Sequence, residues 1–496
     1  MTVRDMEYEL ARAETAVADL RSNRNDRWYP RVHIAPPAGW INDPNGISFF
    51  GGRYQVYFQH HPYSAQWGPM HWGHVSSTDM VTWRREPIAM APSLEEDRDG
   101  VFSGSAVADG DELVVFYTGH RWRNGRNEGD GNLQVQCRAV TTDGIEFTKQ
   151  GVVVEGPAGL PHFRDPKVWR MGEKWFMVFG VCSADNRGEV WLYTSADGEA
   201  WDFDRILFRD PDPDAFMLEC PDMFPLGDKW VLAYCPMGPK PTGYVSRNGH
   251  NAGYVVGDWA PGSDFVALTD YRLVDWGAEF YALQSFEAPD GRRIGFGWMG
   301  SFTVPPASQA EDGWSGQLAV PREFTLGDDL RVRALPIAEF AGLRSHTDVL
   351  GAQVVTPDAP VTVLTEVDSA EVELTIDLAG STAERVGLAV NATPDGHATL
   401  VEYDDLARRV NVDRRNTGHG EKGYRSAPVD PGDELRLRVI VDRGSVEVFL
   451  GDGAETVSSL IFAADGPREI RLYTESGTAT ITSLVAHRLG SIWEND

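Results

Sequence analysis

Short apolar runs of five residues recur along the first two thirds of the chain: YQVYF (54–58), LVVFY (113–117), WFMVF (175–179), WVLAY (230–234) and IGFGW (294–298). Each is aromatic or β-branched. Each follows a turn signal, in order GGR, DGDE, MGEK, LGDK and PDGRR, and another short strand precedes each turn. Units of this kind predict five β-hairpins. Anchored on Asp43, Ser105, Asp165, Asp222 and Tyr281, they recur at steps of 62, 60, 57 and 59 residues. A weaker repeat follows three of them: SSTDMVTW (76–83), TTDGIEF (141–147) and TSADGEAW (194–201), each an Asp-capped turn closed by an aromatic. A period near 60 residues suits one four-stranded blade with long loops, so five units predict a five-bladed β-propeller over residues 30–334. The helical patterns that a TIM barrel needs between its strands are not seen.

The two ends of the chain read differently. Met6, Leu10, Ala13, Val17 and Leu20 lie at helical spacing, so residues 1–29 predict a short amphipathic helix packed on the propeller. The segment LPIAEFAGLRSHT (335–347) reads as a short helical linker. Beyond it tryptophan nearly vanishes and alternation becomes regular. VELTIDL, RVGLAV, HATLVEY, ELRLRVIVD, SVEVFL and IRLYT predict half-buried strands, hence a β-sandwich over residues 348–496. The fold class is all-β, with one N-terminal helix.

Composition narrows the function. In 496 residues, 45 Lys and Arg face 74 Asp and Glu, a formal charge of −29. That argues against nucleic acid or an anionic membrane as partner. The 16 tryptophans suit β-structure and sugar-stacking surfaces. Cys137, Cys182, Cys220 and Cys235 fit no zinc or CxxC spacing and read as free buried thiols in a reducing compartment. The N-terminus lacks the apolar core of a signal peptide, and no run reaches membrane-span length, so a cytoplasmic location is expected. The sequence leaves a monomer or a homo-oligomer open.

The first strand of every propeller blade lines the central channel, so equivalent positions converge at one mouth. Asp43 in WINDPNG, Asp165 in FRDP, and Glu219 with Asp222 in ECPD lie near one repeat phase. Any single Asp-Pro is ordinary turn chemistry. A carboxylate cluster from distant units instead implies a cation, an arginine partner or acid/base work. Arg164 is the adjacent partner expected to keep Asp165 ionised. Calcium competes, because the cluster is all oxygen, but Pro directly after Asp43 and Asp165 fits strand entries better than a wrapping ligand loop. Paired carboxylates in a tryptophan-lined pocket point to glycoside hydrolysis.

WINDPNG (40–46), FRDP (163–166) and ECP (219–221) resemble the three signature motifs of glycoside hydrolase family 32, the β-fructofuranosidases. FQHHPYSAQWGPMHWGH (58–74), FSGSA (102–106), EFYALQSF (279–286), WSGQLAVPRE (314–323) and LRVIVDRGSVEVFLGDG (437–453) extend the resemblance over nearly the whole chain. It implies a propeller plus a sandwich, no cofactor, and a retaining hydrolase of terminal β-D-fructofuranosides such as sucrose and short fructo-oligosaccharides. By the resemblance Asp43 is the nucleophile and Glu219 the acid/base, with their carboxyl groups about 5–5.5 Å apart. Asp165, beside Arg164, holds fructose hydroxyls and steadies the transition state. Trp40, Ile41, Asn42, Gln59, Trp67, Phe102, Ser103, Arg164, Tyr281 and Trp298 take substrate-binding positions, and Cys220 follows the acid. A raised Glu219 pKa is expected from burial and neighbouring carboxylates.

His60, His61, His71 and His74 do not read as a metal site, since His71 and His74 point to opposite faces of a strand. Arg121, Arg123 and Arg126 read as a solvated loop, with a leaving-group rim for a phosphate as the sharper reading. Sucrose-6-phosphate hydrolase and fructosyltransferase are rivals within enzymes. A non-catalytic sugar-binding protein, using the sandwich as a lectin, is the rival outside them. Release of fructose from sucrose separates the last from the rest.

Overall fold

The structure, a computed structural model, describes residues 5–124, 131–430 and 432–494. The hairpins read from the sequence form five antiparallel sheets arranged as the blades of a propeller. Their inner strands are Gly39–Phe50, Gly100–Asp109, His162–Met171, Met217–Leu226 and Tyr281–Glu287. Each packs on the next, and the fifth packs on the first. The ring is closed by a parallel pairing of Gly39 with Trp314 and Trp40 with Ser315, which adds a late segment to the first blade.

The weaker repeat is a recurring turn. Asp79, Asp143 and Asp197 each accept two backbone N–H bonds from residues two and three further on, at 2.8–3.0 Å. The hydroxyls of Ser77, Thr141 and Ser195 accept the N–H groups at the start of the same turns. Side chains thus satisfy backbone donors that the turn leaves unpaired.

The N-terminal helix runs Met6–Ser22, capped by the Asp5 carboxylate on the Glu7 N–H. Its buried stripe is narrower than the apolar spacing. Ala13 and Val17 pack on Ile88 with Leu10 alongside, whereas Met6 and Leu20 stay half-buried. The expected helical linker is one 3-10 segment, Ala338–Leu343; residues 344–349 are already a sandwich strand. Phe340 and Leu343 sink into a shared apolar cluster, which holds the turn to its neighbours better than a free linker. Among the described residues no helix is long and apolar enough to cross a membrane.

The sandwich consists of two antiparallel sheets whose inner faces enclose one aliphatic core, including Leu374, Leu388, Val439 and Leu472. It joins the propeller through an apolar cluster containing Ile34, Phe58, Ile440 and Phe449. The approach is close: a Cβ at Gly277 would lie 1.8 Å from the Ser458 carbonyl oxygen. Within this contact sits a fully buried ionic network. His33 meets Asp442 through Nδ1 at 2.8 Å and Glu447 through Nε2 at 2.9 Å. Arg322 reaches Glu447 at 2.5 Å and Asp275 at 3.1 Å. Buried ions are tolerated when paired and hydrogen-bonded. Backbone N–H groups of Val32 and Val320 and the Ser458 hydroxyl supply the remaining donors.

Burial alone would depress the His33 pKa, but its bonds to Asp442 and Glu447 outweigh that and hold it at about 9. In the unfolded chain it returns to about 6.5. The stability this proton linkage supplies is therefore complete below pH 6.5 and lost as pH rises through about 9, in all about 3 kcal/mol. Urea midpoints of the wild type should fall across that window, and His33→Gln should flatten the fall while lowering the midpoint at pH 7. Equal slopes in the two proteins would remove His33 as the titrating group.

Candidate active site

All five inner strands carry the same irregularity. Two consecutive residues oppose a single residue of the next strand: Asn42 and Asp43, Phe102 and Ser103, Asp165 and Pro166, Cys220 and Pro221, Ala282 and Leu283. Such bulges bend a strand and re-aim its side chains, and they recur beside active sites. Asp165, Cys220 and Ala282 take left-handed backbone angles, with φ of 68°, 49° and 52°. Non-glycine residues hold that conformation only when their surroundings over-determine it.

The bulges correct the single repeat phase expected for the carboxylates. Glu219 is the last paired residue before its bulge, Asp165 is the first bulge residue, and Asp43 is the second. The extra residue in each strand lets three successive phases converge. Asp43 accepts the Ser103 hydroxyl at 2.6 Å and the Asn42 amide at 2.9 Å. Asp165 accepts the Cys220 backbone N–H at 2.9 Å. The Cys220 thiol lies 3.4 Å from Asp43 and 3.6 Å from Asp165, bridging the two.

Arg164 departs from expectation. Its guanidinium grips Glu219 Oε1 through Nη2 at 2.6 Å and Nε at 3.1 Å, and stands 3.9 Å from Asp165. The left-handed bulge at Asp165 breaks the strand alternation, so both side chains enter the cavity and Arg164 reaches across to the next blade. The Tyr281 hydroxyl donates to the other Glu219 oxygen. These contacts overturn the expected raised pKa of Glu219. Burial pushes it up, but Arg164 and Tyr281 outweigh that and hold it below the ordinary value. Burial raises Asp43 instead, against the pull of Ser103 and Asn42. Asp165 is pushed up to about 7 by burial, with Arg164 opposing and the Glu219 and Asp43 charges adding.

Asn42, Asp43, Gln59, Trp67, Phe102, Ser103, Arg164, Asp165 and Glu219 line one cavity of about 410 Å³. Trp67 stands at its rim, 40% exposed. Trp40 lies behind, its indole N–H donating to Asn42 at 2.7 Å and its ring packed on Trp298 and Phe302. Trp298 is fully buried against Phe302 and supports the wall rather than lining it. Ile41 does not reach the cavity. It is fully buried in the core with Val32, Phe58 and Leu318, on the strand face opposite Asn42.

Several lining residues escaped the sequence: Met70, His120, Trp122, Asn132, Gln134, His162, Met237, His250 and Phe302. His120 stacks on Phe102, with centroids 4.0 Å apart, and burial lowers its pKa to about 3. Burial likewise lowers His162 to about 4 and depresses His250, so all three imidazoles are neutral at pH 7. His162 directly precedes FRDP and was therefore within reach of the motif; His250 and Phe302 sit on loops without local signal. Arg121 and Arg123, read as a solvated loop, line a second cavity of about 350 Å³ that shares Asn132 and Gln134 with the first. Arg126 lies outside the described residues. No lining residue of the main cavity comes from the sandwich.

The four histidines of blade one are engaged separately, His60, His61 and His71 by carbonyls and His74 by Gln55. Among the described residues one group has metal-like spacing, Glu371, Glu373 and His487 in the sandwich. Arg344 and Arg438 already neutralise its carboxylates.

Residues 33–335 match the family model described as the glycosyl hydrolases family 32 N-terminal domain, and residues 339–488 match its C-terminal counterpart. A sucrose-6-phosphate hydrolase of Escherichia coli is 40% identical over 97% of this chain and 98% of that protein. A raffinose invertase of Escherichia coli is also 40% identical, over 98% and 99%. Among solved structures, a GH32 β-fructofuranosidase of Bombyx mori superposes with a TM-score of 0.87 at 31% identity, covering 98% of this chain and 99% of that one.

The Ser103 hydroxyl stabilises the Asp43 carboxylate. Ser103→Ala should therefore raise the Asp43 titration midpoint further, because the carboxylate loses a hydrogen bond that favours its charged form. Carboxyl ¹³C NMR titration of the two proteins measures it. An unchanged or lowered midpoint would show that this bond does not tune Asp43.

Proposed function

Because the chain belongs to glycoside hydrolase family 32, we propose that it is a retaining β-fructofuranosidase acting on sucrose and short fructo-oligosaccharides. The observation that carries the reading is the convergence of Asp43, Asp165 and Glu219 from three blades into one cavity. Asp43 attacks the anomeric carbon of the fructosyl unit, and Glu219 protonates the departing oxygen. A covalent fructosyl-enzyme results, which water hydrolyses with Glu219 as base. Asp165 binds fructose hydroxyls and offsets the positive charge of the oxocarbenium-like transition state.

The electrostatics support a shared proton. Three buried carboxylates face one guanidinium, so the group titrates as a unit. Arg164 and Tyr281 favour the ionised form of Glu219 in the resting site, which suits its role as base in the second step. Asp165, pushed up to about 7, leaves a proton within the cluster near neutral pH, available to Glu219 for the first step. Neutral His120, His162 and His250 offer hydrogen bonds to sugar hydroxyls without adding charge.

Sucrose 6-phosphate is a second reading, favoured by Arg121 and Arg123 in the adjoining cavity and by the name of the Escherichia coli relative. The four free, buried cysteines support placement in the reducing cytoplasm. A panel of sucrose, its 6-phosphate, kestose, inulin and levan tests the assignment. Fructose released fastest from sucrose or kestose supports it; preference for the 6-phosphate selects the second reading; no release from any of them ends both.

The two carboxylate roles are separable. Asp43→Ala should abolish turnover of every substrate. Glu219→Ala should lose about 10²–10⁴-fold on sucrose; on a fructoside with an activated leaving group, which needs no proton, the first step should survive far better and the fructosyl-enzyme should accumulate, because water has lost its base. Azide should then restore turnover of the Glu219 variant and give β-fructosyl azide with retained configuration. Rescue of Asp43→Ala with retention, or inversion by the wild type, would reverse the assignment.

A further inference from the structure

Below the bulges, a series of side-chain bonds crosses from blade to blade. Asn45 Oδ1 accepts the Gly104 N–H at 3.3 Å. The Ser105 hydroxyl donates to the Pro166 carbonyl and accepts the Val168 N–H, both at 2.9 Å. Lys167 pairs with Asp222 at 3.0 Å and also donates to the Ser285 carbonyl. The second oxygen of Asp222 accepts the Ser285 N–H at 2.6 Å and its hydroxyl at 2.7 Å. Both polar groups of the Ser285 peptide unit are thus held by side chains from blades three and four. Asp222 is fully buried and the Lys167 side chain nearly so.

The position of this clasp is specific. Lys167 is the first re-paired residue after the bulge bearing Asp165. Asp222 is the first after the bulge that Glu219 opens. Ser285 follows the bulge that Tyr281 opens. The inner strands of blades three, four and five do not share a backbone ladder, so the clasp bonds set their spacing directly beneath Glu219 and the two groups that grip it. A buried ion pair is a poor source of stability compared with apolar packing, and its best-attested use is to fix register.

We propose that Lys167, Asp222 and Ser285 are positioning residues for the acid/base, acting through Glu219. The clasp holds the three bulges at the separation that keeps Glu219 aligned on the leaving oxygen. This rests on the β-fructofuranosidase reading above. A displacement near 1 Å is enough to cost about 100-fold in rate.

The experiment compares the wild type with Asp222→Asn, which keeps an acceptor for Ser285 but removes the charge facing Lys167. Each is assayed on sucrose and on p-nitrophenyl β-D-fructofuranoside, with unfolding temperature measured alongside. We expect kcat on sucrose to fall roughly 10–100-fold, with KM within about twofold, and the first step on the activated fructoside, read as the burst of p-nitrophenol, to change less than about threefold. Adding Asp222→Asn to Glu219→Ala should cost almost nothing more, because both act on one group. If Asp222→Asn does not fold, Ser285→Ala, which removes only the hydroxyl bond, is read by the same ratio of substrates. Equal losses on both substrates, or an additive double variant, would reduce the clasp to a structural role and overturn the proposal. A wild type that releases no fructose would instead sink the β-fructofuranosidase reading, so the two failures are distinguishable.

Discussion

Neighbouring blades of the propeller share no backbone ladder along the channel. Everything at the site depends on this constraint. Within a blade, strand pairing fixes positions to a fraction of an ångström. Between blades, the distance from one carboxylate to the next is fixed only by packing and by side chains that bond across the gap. Ser103 to Asp43, Cys220 to Asp165 and Arg164 to Glu219 are all crossings of this sort. The site and the links that hold the ring in shape are therefore partly the same bonds.

Placing three carboxylates in a buried cavity has a cost that one guanidinium cannot offset for all of them. The structure distributes the remedy unequally. Glu219 receives the arginine and a tyrosine; Asp43 receives a serine and an amide; Asp165 receives a backbone N–H and a thiol. Unequal remedies give unequal proton affinities, which suits the three different tasks proposed for one type of chemical group. The sandwich contributes no lining residue to the cavity, but it anchors the propeller through the His33 and Arg322 network.

Much of the architecture was legible because a blade is a local object. Turn residues, apolar runs and a period near 60 residues lie on the chain itself, as do the Asp-capped turns at Asp79, Asp143 and Asp197. The bulges were not legible, because a bulge is defined by the opposing strand. Without it Asp43, Glu219 and Asp165 read as one repeat phase. Adjacency in sequence pairs Arg164 with Asp165, which it does approach at 3.9 Å, but its hydrogen bonds go to Glu219 on the next blade, which adjacency cannot show. His120 and His250 carry no motif-level signal of a shared cavity, and His162 only its place before FRDP, since strands and loops from three parts of the chain bring them together.

The parallel pairing of Gly39 and Trp40 with Trp314 and Ser315 also has a temporal meaning. The strand that bears Asp43 leaves the ribosome about 275 residues before its edge partner. Contacts so distant along the chain carry a large loop-closure entropy and form late. During synthesis the first blade must wait, one edge open, for a segment that arrives after all five inner strands are made. Trp40, whose indole orients Asn42 beside Asp43, sits in that open edge. The nascent chain therefore acquires its sugar pocket in a single late event, so an unfinished propeller exposes an incomplete site rather than a weakly active one.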